Sequence, residues 1–166
     1  MPEEVSNLVH AEELPWSEVS RGKFRFKRKL LGEKTGANKL GCSLYEVPPG
    51  ASAWPAHFHY ANEEAIYVLA GAGTLRLGER EVMVRAGDFV TFLPGPAHSH
   101  RLINTSDAPL SYLCFSTMIE PEVCIYPDSK KTAVGVGPRG KRVYAASFRL
   151  NSAVDYYQDE PEASER

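Results

Sequence analysis

His57-Phe58-His59-Tyr60-Ala61-Asn62-Glu63-Glu64-Ala65-Ile66-Tyr67-Val68-Leu69-Ala70-Gly71 is the stretch whose reading decides the fold. In an extended chain, residues two apart face the same way, so His57 and His59 can aim both imidazoles at one point. Ala61-Asn62 reads as a turn. Beyond it, Glu64 shares strand parity with Ile66 and Val68, the face expected to point inward. A carboxylate on an apolar face is costly to bury unless it is paired or bound to a cation. Two imidazoles and a carboxylate converging inside a small β-structure make a divalent-metal site.

Working outward, residues from Lys39 to about Thr117 read almost wholly as short strands broken by Gly, Pro, Asn and Asp. Strands are expected near Leu40–Val47, Ala56–Tyr60, Ala65–Ala70, Thr74–Leu77, Val82–Arg85, Phe89–Phe92, Ser99–Asn104 and Leu110–Thr117. Such close, regular spacing without a long helical pattern indicates an all-β sandwich or barrel. A second His-x-His pair, His98-Ser99-His100, follows Pro94-Gly95-Pro96 and opens one of these strands. A single inward histidine is usually a hydrogen-bonded core residue. Four of the chain's five histidines in two such pairs, each at a strand start, point instead to a metal, with a third imidazole supplied by the second pair.

These residues resemble the two motifs of the cupin superfamily, which are jelly-roll β-barrels. The first motif matches at Gly50, His57, His59, Glu64 and Gly71, with one extra residue after Gly50. Glu63 satisfies a looser spacing, but Glu64 fits Gly71 better. The second motif matches in two ways. Gly87 and Gly95 are spaced for His98, with Leu93 and Leu102 replacing the family's proline and asparagine. With two residues inserted after Gly95, His100 and Asn104 take the His-x-x-x-Asn spacing instead. The second alignment is preferred because one turn insertion restores the strand ending. The resemblance then implies one divalent ion (Zn, Mn, Fe or Ni) on His57, His59, Glu64 and His100, with His98 at the rim or behind the ligands.

The resemblance covers about Leu40 to Thr117 and implies reaction class only broadly. It suggests a metalloenzyme of dioxygenase, decarboxylase or isomerase type acting on a small oxygenated organic molecule, and it assigns no catalytic residue. The alternative is a non-catalytic module that binds a sugar or organic acid beside a structural metal. Tyr60, Tyr67, Arg76 and Arg101 are candidates to orient an anionic substrate.

The rest of the chain sets boundaries: an N-terminal arm and edge strand over 1–36, a barrel core over 37–120, and a C-terminal extension over 121–166 with an acidic, frayed tail from Gln158. In the first of these, Arg21 to Lys29 alternates charge with Phe24 and Phe26, as an edge strand does. After Glu120, Tyr126-Pro127-Asp128-Ser129 reads as a turn and Gly135, Gly137 and Gly140 as an open loop. Tyr144 to Leu150 reads as a strand or short helix. A net charge of −2 gives no electrostatic case for a nucleic-acid partner. No apolar run is long enough to span a bilayer, and Met1-Pro2-Glu3-Glu4-Val5 lacks the apolar centre of a signal peptide. Three scattered cysteines argue against a disulfide framework and suit the cytoplasm. Ala65-Ile66-Tyr67-Val68-Leu69 is apolar on both faces. Its outer face is expected to be covered by a second copy in a homodimer, or by the arm around Trp16 and Phe24.

Overall fold

The computed structural model describes residues 7–138 and 140–161, so the first residues of the arm and the end of the acidic tail lie outside it. The chain is nearly all β. Its strands are β1 (Ser17–Arg21), β2 (Phe24–Leu30), β3 (Gly41–Val47), β4 (Phe58–His59), β5 (Glu64–Ala70), β6 (Ala72–Leu77), β7 (Arg80–Arg85), β8 (Phe89–Phe92), β9 (His100–Ile103), β10 (Leu110–Ser116), β11 (Glu122–Tyr126), β12 (Lys131–Val136) and β13 (Tyr144–Arg149). One sheet runs β1-β2-β3-β10-β5-β8. The others run β13-β12-β11-β4 and β7-β6-β9. These last two meet where His57 and His100 pair. Each donates its backbone N–H to the other's carbonyl, at 3.1 and 2.9 Å, which joins them into the second wall of a jelly roll.

Between the walls lies a core of Phe26, Tyr45, Val47, Ile66, Val68, Leu75, Leu110 and Tyr112. Val68, Leu75 and Leu110 are wholly buried. Each such side chain stabilises the fold by about 1.5–3 kcal/mol relative to exposure. The period of two explains why β5 can serve both core and site. Ile66 and Val68 face in with Glu64, while Tyr67 and Leu69 face out. Gly71 ends that strand at φ +80°, and a Cβ there would strike the Pro109 carbonyl, so only glycine lets the turn pass so close to the β10 entry.

Several expectations need correction. Arg21 to Lys29 is not an edge strand. Gly22, at φ +61°, turns the chain between β1 and β2, so β1 is the edge and β2 lies between β1 and β3. Nor do its charges all face water. Lys29 is buried under the arm, donating to the Ala11 carbonyl at 2.7 Å with Trp16 stacked on it, and Arg28 points into the barrel. Of Ala56–Tyr60 only Phe58–His59 forms a ladder. Gly135 lies inside β12 rather than in a loop, and the segment from Tyr144 is a strand through Arg149. The arm does not cover β5 either. Trp16 sits on Lys27 and Lys29, and Phe24 sits against Arg101, leaving Tyr67, Leu69 and Phe89 exposed.

Candidate metal centre

His57, His59 and Glu64 come together inside the barrel, their ligand atoms within 4.8 Å of one another. The Nε2 atoms of His59, His100 and His57 stand 3.1, 3.5 and 3.8 Å from a single atom, Oε2 of Glu64. Local structure fixes each contributor. Asn62 anchors the turn before Glu64, accepting hydrogen bonds from the Ile119 amide and the Thr117 hydroxyl and donating to the Ile119 carbonyl. His59 is held between β11, where it pairs with Cys124, and the Pro94-Gly95-Pro96 turn, whose Gly95 amide donates to its carbonyl at 2.8 Å. The His100 ring stacks on Phe92 with centroids 3.7 Å apart. At the other end of its strand Asn104 is wholly buried, donating to the carbonyls of Val47 and Ala108 at 2.8 Å each. His98 turns away in the short 3₁₀ turn Pro96–His98 and contributes only its carbonyl.

The donor set fits a cation. His57 Nδ1 lies 2.8 Å from the Pro55 carbonyl and His100 Nδ1 lies 3.0 Å from the His98 carbonyl. A carbonyl only accepts, so Nδ1 carries a proton in both rings, and Nε2 is the atom that each ring turns toward Glu64. Three imidazole Nε2 atoms gathered round one carboxylate oxygen are the nitrogen and oxygen donors that a divalent ion takes. Burial lowers the His100 pKa, outweighing the pull of Glu64, and keeps that ring in the neutral form a ligand needs.

Glu122 is the residue that sequence reasoning missed. Its Oε1 lies 3.5 Å from His59 Nδ1, and both its carboxylate oxygens are buried without a hydrogen-bond partner among the described residues. Burial alone would lower the His59 pKa, but the flanking carboxylates of Glu122 and Glu64 outweigh it and raise it to about 9. Without an ion, a proton on His59 supplies the positive charge that the two carboxylates require. With one, Glu122 is placed to hold the Nδ1–H and turn Nε2 inward.

The centre opens into a cavity of about 480 Å³, a size that suits a small ligand. Of the four residues expected to orient an anion, only Arg101 lines it, and its guanidinium is spent on the Ser52 hydroxyl at 3.0 and 3.2 Å. Arg76 forms a bidentate pair with Asp128 at 2.7 and 2.8 Å, whereas Tyr60 and Tyr67 face solvent. Arg142 stands at the cavity wall over Gly135.

Residues 43–116 match the family model described as the cupin domain. That stretch is a cupin domain. The cupin is similar to an uncharacterized protein of Methanocaldococcus jannaschii, 34% identical over 70 residues, which amount to 42% of this chain and 54% of the relative; the match thus spans about half of that protein. Among solved structures it superposes on a provisionally named sugar phosphate isomerase from Acidithiobacillus ferrooxidans with a TM-score of 0.78. The two are 24% identical, over 90% of this chain and 96% of that one. A sugar phosphate isomerase of the cupin superfamily from Silicibacter pomeroyi gives 0.76 at 23% identity, over 88% and 94%. At these identities the likeness is one of fold. No helix among the described residues is long and apolar enough to cross a membrane.

Proposed function

We propose that this cupin is a metal-dependent enzyme acting on a small oxygenated organic molecule, with one divalent ion held by His57, His59, Glu64 and His100. The observation that carries this reading is the convergence of three imidazole Nε2 atoms on one Glu64 oxygen at the wall of an open cavity. A divalent ion there would polarise a substrate carbonyl or hydroxyl oxygen. Burial keeps His100 neutral, the Pro55 and His98 carbonyls and Glu122 orient the imidazoles, and Tyr126, stacked on His57 at 6.0 Å, is kept protonated by burial at the cavity wall. Isomerisation is the first class to assay, since full-length likeness to two proteins named as sugar phosphate isomerases supports it over decarboxylation or dioxygenation. The test is metal analysis of protein loaded with manganese, iron, nickel or zinc. One ion per chain is expected in the wild type and none in the His57→Ala, His59→Ala double variant. Full stoichiometry in that variant would remove the assignment.

We also propose a cytoplasmic homodimer; the three free cysteines suit that compartment. Tyr67, Leu69 and Phe89, on paired strands β5 and β8, leave an apolar outer face that the arm does not reach. Light scattering coupled to size exclusion should give twice 18.4 kDa; a single-chain mass that holds as concentration rises would rule the dimer out.

A further inference from the structure

Arg28 is a cation of the cavity wall without an acidic partner among the described residues. It lies on β2 opposite Tyr45, and β2 carries a run of cations whose other members have evident partners. Lys27 pairs with Glu46 at 2.7 Å, and Lys29 donates to the Ala11 carbonyl at 2.7 Å. Arg28 faces the other way, into the cavity, with Trp54 stacked on its guanidinium at 5.5 Å. Its Nε is buried without a hydrogen-bond partner, the neutral Tyr45 hydroxyl lies beside the guanidinium, and no carboxylate among the described residues lies within salt-bridge distance of it. A partly desolvated guanidinium without a counter-ion is costly, and here the cost falls on a group facing an open space. Tyr45 and Ser43 line the same space from β3, and Tyr112 does so from β10, which pairs with β3.

We infer that Arg28, with the Tyr45 hydroxyl beside it, seats the anionic group of a small organic ligand whose other end reaches the metal centre. The inference rests on the proposed metal-dependent function for that second half only. Guanidinium is suited to the task because its planar fork matches the two oxygens of a carboxylate or phosphate. The ladder sets the ligand's size. Arg28, Tyr45, Tyr112 and Val68 lie on one row across β2, β3, β10 and β5, and Glu64 lies two inward positions along from Val68. That offset is about 13 Å along the strand at roughly 3.3 Å per residue, shortened by the reach of the arginine side chain. The ligand therefore carries an oxygen for the metal several bonds from its anionic group, as a phosphorylated or carboxylated polyol does.

Trp54 is 38% exposed and reports directly on Arg28, and the only other tryptophan, Trp16, can be removed as Trp16→Phe. In that background, inorganic phosphate and acetate are titrated into the full chain, metal-loaded and chelated, while Trp54 fluorescence and metal content are followed. A saturable response that survives chelation is expected. Arg28→Gln should weaken it by at least about tenfold with metal content unchanged, and Arg28→Lys should restore it in part, as expected when a charge-assisted pair is lost. Saturation by phosphate alone marks a phosphate group and by acetate alone a carboxylate. A response that disappears on chelation would put the anion on the ion and overturn the inference, as would an undiminished response in Arg28→Gln. If Arg28→Gln does not fold, the chelated wild-type titration decides: no saturation there is a refutation. Absence of metal with the phosphate response intact would instead sink the metal-dependent reading and leave the anion seat standing.

Discussion

The central stretch from β3 to β10 and the segments on either side of it contribute differently to one cavity. The centre supplies His57, His59, Glu64 and His100, all within the residues that match the cupin family model. The flanks supply Arg28 from β2 and, from β11 onward, Glu122, Tyr126 and Arg142. The flanks are not appendages. β2 extends the sheet of β3 and β10, and β11 pairs with β4 directly beside His59. What differs is their task. The central residues converge on a point, as ligands to one ion must, whereas the flanking residues are spread around the walls and set charge and shape for whatever else enters. A barrel can keep the first arrangement and exchange the second, which is how one fold serves many reactions.

Metal affinity is the measurement that could break this division, and its largest effect is expected at the centre. His100→Ala removes a proposed ligand and should abolish measurable binding or weaken it by well over about 100-fold. Glu122→Gln leaves the proposed ligands in place but replaces the carboxylate beside His59 Nδ1 with a neutral amide, a loss of about 10–100-fold. His98→Ala should change little, since its ring lies outside the cavity and its carbonyl, the part that holds His100, survives the substitution. Competition against a chromophoric chelator gives all three values. If His98→Ala lost more than His100→Ala, the third ligand would be misassigned. If Glu122→Gln matched His100→Ala, the flank would be part of the metal set and the division would fail.

The two regions also differed in how far they could be read from sequence. In the centre, both His-x-His pairs and the parity of Glu64 with Ile66 and Val68 are local signals, so the β5 face and the grouping of His57, His59 and Glu64 were legible. The choice between His98 and His100 was not local. It depends on the Pro96–His98 turn absorbing two residues, after which His100 can pair with His57 across the two sheets. In the flanks the relevant signals lie in pairings far apart in sequence. Nothing in Glu122-Val123-Cys124-Ile125-Tyr126 says that it will lie beside His59, and its carboxylate looks like any strand-end charge. Arg28 was obscured by its neighbours, because alternating charge in Lys23 to Lys27 reads as a solvated edge until β1 takes the edge position. Gly135 read as a loop because glycines cluster around it.

Gly135 allows the smallest and most discriminating test. It sits opposite Glu122 in the β11–β12 ladder, and a Cβ there would lie 2.6 Å from the guanidinium carbon of Arg142. Its backbone is not in the left-handed region, so alanine introduces no strain of its own. The obstructing atoms are the far end of a flexible, exposed side chain, which can swing into solvent. Gly135→Ala should therefore leave stability within about 1 kcal/mol of wild type by urea denaturation, because a strand glycine costs conformational entropy that alanine recovers. Metal content should be unchanged. Arg142 would no longer lie along the wall, and the phosphate response read at Trp54 should weaken by about two- to threefold. That is less than for Arg28→Gln, since an exposed cation is screened by water and salt. A loss of metal would show that the wall and the centre are mechanically one unit. A loss of anion affinity equal to that of Arg28→Gln would move the anion seat from the β2 side of the cavity to its mouth.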